Sequence, residues 1–215
     1  RSSDLSGRWG FSSGVDHCQW AFLGGLVADE ETGIPDFWTF LVPREDFIVH
    51  HCWNTIGLGG TGSHDVEVKD AFVPAHRTHR SKDGFASTNP GAQSNPGPLY
   101  KLPFGQVFVR AVSSSSIGAL QGALEHFLAN GAKRKSNNTG ASSTGDPDVQ
   151  VLIAETQSAI DEMKCVLMRN FAVLNERARA GEQADIDTRL RFRFQSAQIA
   201  GRCGELITRM YHLGG

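Results

Sequence analysis

The sequence lacks an excess of positive charge. Its 215 residues carry 21 Lys+Arg against 23 Asp+Glu, a formal net charge of −2. That leaves no field to attract nucleic acid and no polybasic run for a membrane surface. Long apolar runs are also missing, so no segment reads as a bilayer span. Cysteine is scarce and scattered: Cys18, Cys52, Cys165 and Cys203 form no C-x-x-C pair. Neither a disulfide framework nor a zinc site is expected, and the thiols read as reduced. No leader pattern is visible at Arg1-Ser2-Ser3-Asp4, so a cytoplasmic protein is the expectation.

What is present divides into strands first and helices after, an α+β order rather than an alternating one. Residues 1–80 read as a β-domain. Cys18 to Ala28 is mostly apolar, and Phe37 to Val42 returns before Pro43 stops it. Phe47-Ile48-Val49 begins another strand. In His64 to Phe72, Val66 and Val68 alternate with Asp65, Glu67 and Lys69, the mark of a sheet with one wet face. Short strands at this spacing predict an antiparallel barrel or sandwich. Residues 81–104 are rich in Gly, Pro, Ser and Asn and are read as a lid-like loop ending in Tyr100, Leu102 and Phe104. Residues 105–215 take up a helical period. One helix is expected over Gln106 to Lys135. A second starts at the Asp146 cap and Pro147, carries Ile153, Ile160, Met163, Leu167, Phe171 and Leu174 inward, and closes at Gly181. A third opens at Asp187-Thr188 with Leu190, Phe194, Ala197, Cys203, Leu206 and Met210 inward.

Three motifs invite chemistry. Gly57-Leu-Gly-Gly-Thr-Gly62 has the G-x-G-x-x-G form, but it leads into a strand and supplies no helix N-terminus for a pyrophosphate. It reads as a tight loop bringing the Thr61 and Ser63 hydroxyls close to something. His50-His51 would point to opposite faces of a strand, and His76 and His79 sit beside Arg77 and Arg80, so no metal is expected. Ser12 and Ser13 near Asp16 and His17 lack the G-x-S-x-G elbow of a nucleophilic serine. The segment Gly10-Phe-Ser-Ser-Gly14 instead offers a ring, two hydroxyls and glycines, a set that suits a flat aromatic ligand.

Four stretches carry a resemblance: Ser6-Gly-Arg-Trp-Gly-Phe-Ser-Ser-Gly-Val-Asp-His-Cys-Gln-Trp20, Phe40-Leu-Val-Pro-Arg-Glu-Asp46, Trp53-Asn-Thr-Ile-Gly-Leu-Gly-Gly-Thr-Gly-Ser63 and Val68-Lys-Asp-Ala-Phe-Val-Pro74. With Tyr100-Lys-Leu-Pro-Phe-Gly105 they resemble, in order, the oxygenase components of two-component flavin-dependent aromatic monooxygenases. The resemblance implies the acyl-CoA dehydrogenase fold, a β-domain followed by a helical bundle, in a homotetramer. It also implies a preceding helical domain and a last helical stretch with a substrate-facing histidine that this sequence does not contain, so a fragment is expected, with the base that draws the phenolic proton outside it.

By the same resemblance Phe11, Ser12 and Ser13 lie on the flavin, with the Ser13 hydroxyl at N5. Arg134 meets the flavin from the bundle, its own or a neighbouring subunit's, and Thr61 and Ser63 lie near the cofactor. The implied cofactor is reduced flavin, FMNH2 or FADH2, delivered by a separate NAD(P)H-flavin reductase. The implied reaction is ortho-hydroxylation of a phenol through a C4a-hydroperoxyflavin. The rivals are an acyl-CoA dehydrogenase, taking hydride to flavin from a thioester, and a non-catalytic binding or assembly piece of the same fold.

Overall fold

The computed structural model describes residues 3–28, 32–131, 140 and 145–214. It contains two compact units, Arg1–Gln93 and Ser94–Gly215. No helix among the described residues is long and apolar enough to cross a membrane.

The first unit is built from six strands: β1 Ser3–Ser12, β2 Trp20–Ala28, β3 Pro35–Pro43, β4 Phe47–His50, β5 His64–Val73 and β6 Thr78–Arg80. They form two antiparallel sheets, ordered β1-β5-β4 and β2-β3-β6. Leu5, Ala21, Leu23, Phe40, Val42, Phe47, Val66, Val68, Ala71 and Val73, drawn from both sheets, make one buried cluster. Each valine, leucine or phenylalanine among them contributes about 1.5–3 kcal/mol on burial. The β5 alternation has one break. Asp70 takes φ 49°, which shifts the inward set from Val66 and Val68 to Ala71 and Val73. Ser6 Oγ stabilises this turn of the chain, donating to Asp70 Oδ1 and accepting from Asp70 N, both at 2.9 Å.

Residues 81–104 are not the structureless loop the composition suggests. Helices α1 Ser81–Ala86 and α2 Pro90–Ser94 and a 3-10 turn at Pro98–Lys101 occupy much of the segment. Its start packs on β3 in the first unit, and the 3-10 turn packs on a long helix of the second. Leu102 is buried there among Leu174, Ala178, Ala184 and Phe192. Tyr100 and Phe104, by contrast, are exposed.

The second unit holds three long helices: α3 Phe104–Gly131, α4 Pro147–Arg179 and α5 Ile186–Gly214. Asp146 caps α4 as expected, accepting from Asp148 N at 2.9 Å. Gly181, at φ 74°, follows the end of that helix. The α5 cap is Asp185, not Asp187: its carboxylate accepts from Thr188 N at 2.8 Å and from Thr188 Oγ1 at 2.9 Å. These two bonds, the backbone one foremost, hold the Asp185 carboxyl below its usual range. The inward face of α5 is also corrected. Phe192, Ser196, Ile199, Cys203, Leu206 and Met210 are buried, while Leu190 and Phe194 are exposed. Two apolar stripes coexist in the first half of this helix, and the core takes the one that runs on into Ile199 and Cys203.

Candidate functional site

The site is assembled where β1 ends. Trp9 pairs with Val66 and Ser12 with His64, so Gly10 and Phe11 stand opposite Asp65 alone. This is a β-bulge, a device that re-aims side chains at the end of a ladder. Phe11 takes φ 58°, a left-handed conformation that costs a non-glycine residue on the order of 1 kcal/mol. Its ring is nevertheless 79% exposed. The only ring packed on it among the described residues is Trp53, edge-on at 5.7 Å between centroids. Both the backbone strain and the wet aromatic surface are unfavourable in the isolated chain, and a flat ligand would relieve the second.

The Gly57–Gly62 loop closes the other side. It forms a 3-10 turn at Gly59–Thr61 and enters β5, not a helix, so the dinucleotide reading is excluded by the fold. Gly62 takes φ 50° and an added Cβ there would lie 3.0 Å from Asp16 Oδ2. One backbone hydrogen bond ties the two loops, Gly14 N donating to Thr61 O at 2.7 Å, and another tightens the first loop, Ser13 N donating to Phe11 O at 2.9 Å. Three hydroxyls then meet in a row. Ser13 Oγ lies 2.8 Å from Ser63 Oγ, Ser63 Oγ lies 2.6 Å from Thr61 Oγ1, and Thr61 Oγ1 donates to Leu58 O at 2.9 Å. Ser63 is 4% exposed, whereas Ser13 stays at the surface. Thus Phe11, Ser13, Thr61 and Ser63 converge, with Ser12 half-buried beside them on the ladder. Arg134 lies outside the described residues.

One constellation was not legible in the spacing. Asp16, His51 and His64 bring ligand atoms within 4.8 Å of one another, close enough to hold a metal ion. The hydrogen bonds argue for a different use. His64 Nδ1 accepts from Cys52 N and from Trp53 N, each at 3.1 Å. A neutral His64 therefore carries its proton on Nε2, which faces Asp16 Oδ2 at 3.3 Å. Coordination through Nε2 would require the imidazolate. The ring instead fastens the 52–53 backbone and the Asp16 carboxylate together, and with them the loop that carries Trp53. It also takes Asp16 away from any serine–histidine pairing, and Ser13 bonds Ser63 rather than a histidine.

Comparisons with known proteins identify the fold. A family model described as acyl-CoA dehydrogenase, C-terminal domain, matches residues 111–215. The crystal structure of 3-HSA hydroxylase from Rhodococcus sp. RHA1 superposes with a TM-score of 0.89 at 37% identity, covering 99% of this chain and 54% of that one. The chain has the acyl-CoA dehydrogenase fold. Oxygenase components are among its curated relatives. The flavin-dependent monooxygenase oxygenase subunit HsaA of Rhodococcus jostii is 36% identical over 98% of this chain and 55% of that protein. The oxygenase component of an FADH(2)-dependent resorcinol hydroxylase from a Rhizobium species is 28% identical over 92% of this chain and 49% of that protein. The chain thus spans about half the length of the curated relatives it matches.

Proposed function

We propose that this chain is part of the oxygenase component of a two-component flavin-dependent monooxygenase. It would use reduced FMN or FAD and O2 to hydroxylate a phenol ortho to its hydroxyl, in a homotetrameric cytoplasmic enzyme supplied by a separate flavin reductase. The observation that carries the reading is Phe11: an exposed ring on a strained backbone at a bulge, two residues from the open outer member of a row of hydroxyls. The residues present fit a flavin. An isoalloxazine needs a flat apolar support and a hydrogen-bonding group at its N5 edge, and Phe11 and Ser13 offer these side by side.

When bound, reduced flavin supplies the electrons that activate O2 and passes one oxygen atom to the aromatic ring. The protein's part is placement and protection. Phe11, braced by Trp53, supports one face of the ring system and displaces water from it. Ser13 Oγ bonds the N5 edge, and Ser63 and Thr61 hold that oxygen in place from behind. Gly59 and Gly60 leave open space where a Cβ would stand, so the loop backbone can approach a ligand closely.

The test is anaerobic titration of the purified protein with reduced FMN and reduced FAD, followed by mixing with O2 and a panel of phenols. Saturable binding and a catechol-type product are expected, and Ser13→Ala should release more hydrogen peroxide per product formed. Bleaching of bound oxidised flavin by an acyl-CoA, with no phenol hydroxylated, would instead identify a dehydrogenase.

A further inference from the structure

The hydroxyl row has a fixed direction, and the direction assigns a role to two residues behind Ser13. A carbonyl oxygen only accepts. Thr61 Oγ1 therefore commits its one proton to Leu58 O, 2.9 Å away. Having none left, Thr61 must accept from Ser63 at 2.6 Å. Ser63, its proton committed in turn, must accept from Ser13 at 2.8 Å. Any other arrangement leaves two oxygens within 2.9 Å with no proton between them. Ser63 is buried, so water does not compete for its bond. Leu58 anchors the row because its own φ of 57° turns its carbonyl toward Thr61 and toward Trp53 Nε1, which also donates to it at 2.9 Å.

We infer that Thr61 and Ser63 are positioning residues that make the Ser13 hydroxyl an acceptor, and not a donor, toward whatever lies on Phe11. This inference rests on the flavin reading for the identity of the ligand. Reduced flavin presents an N–H at N5, while oxidised flavin presents a lone pair. An acceptor-locked Ser13 bonds the first and repels the second, so the row selects the redox state of the ligand.

The experiment is equilibrium binding of oxidised FMN and FAD in air and of the dithionite-reduced forms without oxygen. It compares the wild type with Thr61→Val, Thr61→Ser and Ser63→Ala. The readout is the ratio of the two dissociation constants, with the midpoint potential of the bound flavin as a second measure. Thr61→Val frees Ser63 to donate to Ser13. The preference for reduced flavin should then fall about five- to tenfold, the scale of one hydrogen bond, and the bound potential, raised in the wild type by tighter binding of the reduced form, should fall toward that of free flavin. Ser63→Ala should act the same way, and Thr61→Ser should keep the wild-type ratio. A wild type that binds reduced flavin preferentially, with Thr61→Val and Ser63→Ala unchanged in ratio, would overturn the directional role and leave the flavin reading standing. A wild type that binds neither form would remove the flavin reading itself, and the redox selection with it.

Discussion

The two units keep their irregularities in opposite places. The strand unit has a regular core and puts its strain at the surface, in the positive φ of Phe11 and Leu58 and in the β1 bulge. The helical unit has regular surfaces and hides its anomaly inside. Arg110 on α3 is only 1% exposed. Its Nη1 donates to the Gln106 carbonyl and to Gln106 Oε1, and its guanidinium lies 5.3 Å from the centre of the Phe171 ring. Its Nε and Nη2 have no hydrogen-bond partner among the described residues, and burial pushes its pKa down. The exposed ring that this strain holds at the surface can be covered by a ligand, whereas a buried, half-satisfied cation weakens the fold at all times. The difference teaches where to look for function, and it can be attacked from both sides.

The largest effect should come from the ordinary part of the helical core. Leu152 is fully buried, and Leu152→Ala should cost about 2–5 kcal/mol in urea unfolding followed by helical circular dichroism. Next is the anomaly. Arg110→Met removes the unpaired guanidinium and keeps much of its volume, so it should stabilise by about 1–3 kcal/mol on the same measurement. A loss would mean that the Gln106 bonds and the Phe171 contact outweigh burial, and that the contrast between the units is false. Third is the surface strain. Phe11→Gly relieves a positive φ and should stabilise by about 1 kcal/mol while weakening flavin binding. A variant that loses both stability and affinity would make Phe11 an ordinary packing residue.

The smallest effect is electrostatic. His50 Nε2 lies 2.7 Å from Glu67 Oε2, and that bond first, then the one from Lys69, lowers the Glu67 pKa. A carboxyl depressed in the folded state adds stability above its unfolded pKa and loses it as pH falls through the lower, folded value. Glu67→Gln should therefore lower stability slightly at neutral pH and leave it unchanged at low pH, which flattens the acid limb of the stability curve.

The sequence was most legible where chemistry is local. Asp146-Pro147 and Gly181 marked both ends of α4 because capping acts within a turn. The pairing of β2 with β3, in register from Trp20 opposite Pro43 to Ala28 opposite Pro35, follows from two apolar runs and the turn between them. The α5 face was misread because Leu190 and Phe194 are as apolar as Phe192. Only packing against α3 and α4 chooses between them, and Ser196 on the buried face blurs the pattern. Asp16, His51 and His64 could not be grouped by spacing, since a loop and a sheet bring them together over long separations. In the site, Phe11, Ser13, Thr61 and Ser63 were singled out by residue type and resemblance. Their hydrogen-bonding order was not available, because it is fixed by a carbonyl that the residue types do not reveal.

The bulge opposite Asp65 carries a consequence for anyone aligning such chains. Strand side chains alternate with a period of two, so the extra residue at Gly10-Phe11 decides which of two adjacent serines reaches Ser63. An alignment that closes up that single position would credit the wrong hydroxyl, whereas a one-residue deletion there removes the bulge and should keep Ser12 opposite His64 and Ser13 beside Ser63.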